Sequence, residues 1–95
     1  MKRETFLIKD LIQKLDLDED DIYTISDIPG YTEISSEITY TDLEKGYQEL
    51  RVIFKRNLDN TFFVINYLDS YDSSEFLESE ATEVFPKQVT TTIYE

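Results

Sequence analysis

The chain has 95 residues and a net charge of −12, with 40% apolar and 14% aromatic residues, no cysteine and no histidine. That length holds one domain with a single core, and the apolar content is enough to form it despite the charge. The missing cysteine and histidine exclude disulfides, thiolate chemistry and cysteine-bearing metal sites, and remove the commonest general base and metal ligand.

Residues 3–15 carry Leu7, Ile8, Leu11, Ile12 and Leu15 at the spacing of one helical face, which predicts an amphipathic helix begun at Glu4 or Thr5. Lys9 and Asp10 interrupt the apolar run, so neither a signal peptide nor a membrane span is expected, and a soluble, cytoplasmic protein is. Residues 22–28 read as a short strand, and Pro29-Gly30 as the centre of a type II turn. Beyond it, Ile34, Ser36, Ile38 and Tyr40 alternate with Ser35, Glu37 and Thr39, the period of a strand with one wet face.

Residues 47–71 form the clearest unit, two β-branched and aromatic runs around Asn57-Leu58-Asp59-Asn60, with Asn60 expected in the left-handed region of a hairpin turn. Leu50, Val52 and Phe54 with Phe62, Val64 and Leu68 are read as one side of this hairpin, and Ile53, Phe63, Ile65 and Tyr67 as the other. Both sides are apolar, so the strands belong at the centre of a sheet, and one short helix covers one face only. The second face is left to residues 71–86, to a second copy or to a partner. Residues 72–83 read as a short helix or turn, and Gln88 to Tyr94 as a last edge strand. The expected fold is α+β, a single domain over 1–95 with an N-terminal amphipathic helix on an antiparallel sheet of about four strands.

The carboxylates are segregated. Residues 15–44 hold ten and residues 57–86 hold seven, and neither window contains a lysine or arginine. Asp16, Asp18 and Asp20 match the first half of a calcium loop, but Asp21 stands where glycine is needed and Asp27 where a bidentate glutamate closes the loop, so no metal is expected. Arg51, Lys55 and Arg56 with Tyr47, Phe62 and Phe63 have the makings of a base-stacking platform; at −12, however, the domain repels phosphate, and direct nucleic-acid binding is not expected. With only two glycines there is no phosphate loop or nucleophile elbow, so neither catalysis nor a cofactor is expected.

A compact chain of this length has a radius of gyration near ~12 Å and a diameter of roughly 30 Å. Its charge then amounts to about 0.4 per Å, against about 0.6 per Å for duplex DNA. The expected function is therefore a non-catalytic acidic protein that occupies the basic groove of a nucleic-acid-binding protein. Asp16, Asp18, Glu19, Asp20, Asp21, Asp27, Glu33, Glu37, Asp42 and Glu44 would form its principal anionic face, with Asp69, Asp72, Glu75, Glu78, Glu80 and Glu83 as a second. In size, acidity and helix-plus-sheet content the chain is similar to small phage or mobile-element inhibitors that imitate nucleic acid, some anti-CRISPR proteins among them; this likeness covers outline and composition alone. The competing expectation is an assembly module that homodimerises or docks through the hairpin's spare apolar face. A plainer reading of the acidity is solubility.

Overall fold

The computed structural model describes residues 3–70 and 73–85. It is α+β, with one helix and a fully antiparallel five-stranded sheet rather than about four strands. The strands are β1 (Thr5–Leu7), β2 (Tyr31–Asp42), β3 (Tyr47–Arg56), β4 (Thr61–Ser70) and β5 (Glu80–Val84), in the spatial order β1-β5-β4-β3-β2. The helix, α1 (Ile8–Lys14), follows β1 directly.

The hairpin β3–β4 occupies the centre, and its turn sets the register. Asn60 has φ 60°, as its side chain permits, and its N–H reaches the Arg56 carbonyl at 2.8 Å. Arg56 then pairs with Thr61, Phe54 with Phe63, Val52 with Ile65 and Leu50 with Tyr67. This corrects the expected sides: Phe63, Ile65 and Tyr67 share a face with Leu50, Val52 and Phe54, while Phe62, Val64 and Leu68 share the other with Lys55, Ile53 and Glu49. Cross-strand partners point the same way, so counting back from the turn decides the matter, whereas apolar content alone does not.

The first face holds the core. Val52, Phe54, Phe63, Ile65 and Ala81 from the strands meet Ile8 and Ile12 from α1, with Ile22, Ile25, Ile28 and Phe76 from the connections. Phe54 and Phe63 stack with centroids 5.5 Å apart, and Phe6 meets Phe63 edge-on at 5.0 Å. Both arrangements are favoured geometries for buried rings.

The helix is shorter than its periodicity implies because residues 5–7 are drawn into the sheet, where they pair with Thr82, Ala81 and Glu80. Leu7 is consequently the N-cap, and no side chain caps the helix. The chain itself supplies partners instead: Ile8 N–H donates to the Ser79 carbonyl and Lys9 N–H to that of Leu77, each at 3.0 Å. At the other end Asp16 adopts φ 57°, with its N–H on Gln13 O and the Leu17 N–H on Ile12 O, which is a Schellman closure with an aspartate where glycine is usual.

Residues 22–28 are not a strand. A first 3-10 turn (Glu19–Asp21) and a second (Ile25–Asp27) keep the backbone compact while Ile22, Ile25 and Ile28 reach the core. Gly30, at φ 87°, completes the expected turn into β2. Residues 73–79 form turns rather than a helix and lie on the same covered side, since Phe76 packs on Tyr67 with centroids 5.4 Å apart. The strand expected at 88–94 lies outside the described residues.

The molecule measures 41 × 36 × 23 Å with a radius of gyration of 14.7 Å, larger than the compact estimate, because a sheet covered on one side spreads rather than rounds. Replacing Phe54 with alanine should lower the unfolding free energy by about 3–5 kcal/mol, and Leu58→Ala should change it by less than about 0.5 kcal/mol. Urea denaturation of the two variants checks the assignment, since Phe54 is fully buried and Leu58 is 90% exposed at the hairpin tip.

Candidate functional site

The acidic residues divide into those that shape the chain and those left to solvent. Asp18 accepts the Asp20 N–H at 3.0 Å and so opens the first 3-10 turn. Asp27 accepts the N–H groups of Tyr23 and Thr24 at 2.8 and 3.1 Å. Asp42 accepts the Lys45 N–H at 3.0 Å in the β2–β3 turn. Glu83 accepts the Glu4 N–H at 3.0 Å and ties the start of β1 to β5. Short acceptors are favoured in such places because they satisfy donors that helices and strands leave free.

Glu37 makes an ion pair, 3.4 Å from Arg51 with both side chains well exposed, which contributes little. Asp16, Glu19, Asp20, Asp21, Glu33, Glu44, Asp69, Glu75, Glu78 and Glu80 have no cation within ion-pairing distance among the described residues. Asp72 lies outside the described residues. No three acidic side chains among the described residues converge on a point where a metal would sit.

Spatially, the two sequence windows regroup. Asp42 faces Tyr47, Tyr47 faces Ser70, and Asp69 faces Gln48, so Asp42 and Asp69 stand at the same end of the sheet, two strands apart. There they line an open cleft of about 310 Å³ with Leu43, Tyr47 and Ser70. The Glu75 N–H, on the Leu68 carbonyl at 2.8 Å, brings Glu75 to the same end, and Glu44 stands in the adjoining turn. The run Asp16–Asp21 belongs instead to the layer over the core, after α1, and is joined through the second 3-10 turn to the Tyr31 end of β2. From Tyr31, Asp42 lies about 36 Å along the strand. The structure therefore presents two acidic patches, the second drawn from both windows.

Glu4 and Asp59, which belong to neither expected anionic face, form with Arg56 the most extensive ion-paired cluster among the described residues. Arg56 donates to Glu4 at 2.7 and 2.9 Å and to Asp59 at 2.9 and 3.1 Å, while its guanidinium lies 5.2 Å from the Phe63 ring centroid. These hydrogen bonds hold the Glu4 carboxyl below its ordinary range and that of Asp59 well below it, and they raise Arg56. Burial raises the phenols of Tyr31 and Tyr67. The cluster closes the Arg56 end of the sheet and leaves that cation unavailable to the acidic patches. The Asp59–Thr61 hydrogen bond is a common turn signal, but no sequence pattern announces Glu4, 52 residues from its partner.

No described helix is long and apolar enough to cross a membrane. Comparison of the chain with protein-family models, with curated proteins and with solved structures finds no match.

Because the folded state lowers the Glu4 and Asp59 carboxyls, their contribution to stability is complete above the unfolded values of 4.5 and 3.8 and is lost as pH falls toward the lower folded values. The melting temperature should be level above about pH 5 and decline below about pH 4. Arg56→Gln should lower it by roughly 5 °C at pH 7 and make the acid decline shallower, as calorimetry from pH 2 to 7 would show. Equal acid declines in the two proteins would remove this cluster as the cause.

Proposed function

We propose that the protein is a non-catalytic acidic binding protein that captures a basic, nucleic-acid-binding protein by offering carboxylates where that partner meets phosphates. It would act in the manner of the small phage or mobile-element inhibitors its outline resembles. The observation that carries this reading is the set of exposed carboxylates in two patches, while Arg56 is held by Glu4 and Asp59 and Arg51 faces Glu37. The described residues keep the charge of −12, since Lys2 and Lys87 offset Asp72 and Glu95. Divided by the 41 Å long axis, −12 gives about 0.3 charge per Å, half the density of duplex DNA. A field of that strength accelerates association with a basic groove and weakens as salt screens it.

Immobilised protein incubated with a cell lysate at low salt should retain nucleic-acid-binding proteins, release them as salt rises, and lose them to competing duplex DNA. Neutralising Glu19, Asp20 and Asp21 together with Asn or Gln should weaken capture about tenfold near 50 mM salt and much less near 300 mM. Retention insensitive to both salt and DNA would overturn the reading.

A second reading rests on a different observation. Among the described residues nothing packs over the face bearing Leu7, Ile53, Phe62, Val64, Leu68 and Val84, because α1, both 3-10 turns and residues 73–79 all lie on the other side. A shallow cleft of about 200 Å³ opens there between Arg51, Ile53, Phe62, Val84 and Phe85. Such a face suits self-association, sheet against sheet. It predicts dimers that persist in high salt and are dissociated by Phe62→Ser without unfolding, measured by sedimentation and circular dichroism.

A further inference from the structure

The two edges of the sheet are unlike. β1 spans three residues and gives way at once to α1. β2 spans 12 residues, is exposed along nearly its whole length, and pairs with β3 alone among the described residues. Its outward N–H and C=O groups therefore have no strand partner among the described residues, a row of donors and acceptors ready for another strand.

Proteins commonly guard a long edge with lysine, proline or brevity. β2 has no lysine, arginine or proline, and it exposes Ile34, Ile38 and Tyr40. Two bulges, at Ile34 and Thr39, interrupt the ladder and leave the stretches 31–33, 35–38 and 40–42. Bulges sharpen strand twist and so oppose the stacking of flat sheets, while an extended peptide still finds short paired stretches.

Charge decides the occupant. β2 carries Glu33, Glu37 and Asp42, with Glu33 on the covered side of the sheet and Glu37 and Asp42 on the open side. Among the described residues only Arg51 stands within ion-pairing distance of one of them, Glu37, and that pair is long and exposed. A second copy laid antiparallel on β2 would add the same carboxylates to each side, Glu33 to the covered one and Glu37 and Asp42 to the open one, with no lysine or arginine on its own strand to offset them, and like charges across a strand pair destabilise it. A lysine-rich or arginine-rich strand is favoured on both faces at once. The geometry points to β2 as a docking edge for an extended basic segment, added to the sheet by main-chain hydrogen bonds with carboxylates on either side selecting its cations. This rests on the reading of a basic partner and specifies how part of that partner is held: a strand joins the sheet edge, rather than a groove closing on the patches alone.

The probe is a synthetic decapeptide of repeating Lys-Lys-Val-Val, which sets lysines on both sides of a strand, compared with the same peptide methylated at every backbone amide, which keeps the charges and side chains but has no main-chain donors. The unmodified peptide should bind, slow amide exchange along β2 and give inter-strand Hα contacts with β2 in NMR spectra. The methylated peptide should bind at least about tenfold more weakly, since several hydrogen bonds of about 1 kcal/mol each are lost. The double variant Glu33→Lys and Glu37→Lys should lose the lysine peptide and accept the same peptide with glutamate in place of each lysine. Equal binding of the methylated and unmodified peptides overturns edge pairing and leaves the capture of basic proteins standing. Failure of both peptides, while basic proteins are still retained in the lysate experiment, overturns the edge alone; failure of both experiments overturns the edge and the functional reading together. Concentration-dependent protection of β2 without peptide would assign the edge to a second copy and reject the basic occupant.

Discussion

The stacked pair of Phe54 and Phe63, opposite one another across the central hairpin, is the contact on which the remaining structure depends. Once the turn at 57–60 puts these rings on one face, Val52, Ile65 and Tyr67 follow them by the two-residue period of the strand. Every other apolar element then has a single place to go. α1, the two 3-10 turns and Phe76 converge there, and Phe6 and Ala81 extend the same layer across β5 and β1. Arg56 closes its end, lying over the ring of Phe63 while binding two carboxylates. The result is one buried face and, among the described residues, one open face.

That asymmetry accounts for the dimensions as well as the surface. A single sheet with one covering layer is wide and only 23 Å thick, and its open face carries Glu49, Arg51 and Lys55 on β3. It also explains why acidic residues cluster in the connections. Asp18, Asp27 and Asp42 each satisfy backbone donors at a point where the chain changes direction. Asp16 takes a left-handed conformation that ends the helix. Local structure therefore accounts for some of the aspartates, while Glu19, Asp20, Asp21, Glu44 and Glu75 make no side-chain hydrogen bond among the described residues that would require a carboxylate. The functional proposals rest on that second set and on the edge strand.

A common physical theme joins the two docking ideas. The field of the carboxylates acts over many ångströms and brings a basic partner near, whereas main-chain pairing at β2 acts only on contact and requires an extended strand. The first is sensitive to salt and indifferent to shape; the second is the reverse. A protein using both would gain speed from one and register from the other.

Much of the secondary structure was legible because it follows from local rules. The hairpin turn with Asn60 in the left-handed region, the Pro29-Gly30 turn and the amphipathic stretch at Ile8–Lys14 all follow from spacing and turn chemistry, whereas the half-buried alternation expected over 34–40 fails, because bulges at Ile34 and Thr39 put Tyr40 on the side opposite Ser36 and Ile38 and the strand is exposed throughout that stretch. Composition likewise determined the acidity and the absence of cysteine and histidine chemistry. Tertiary structure decided the rest: residues 5–7 left their helical period to pair with β5, residues 22–28 turned instead of extending, and Asp42 and Asp69 came to line one cleft. The reason is the range of the interactions involved. A turn or a helical face is settled by residues within a few positions of one another, while the choice between helix and edge strand at Thr5–Leu7, or the pairing of Glu4 with Arg56, depends on partners more than fifty residues away that only the assembled sheet brings alongside.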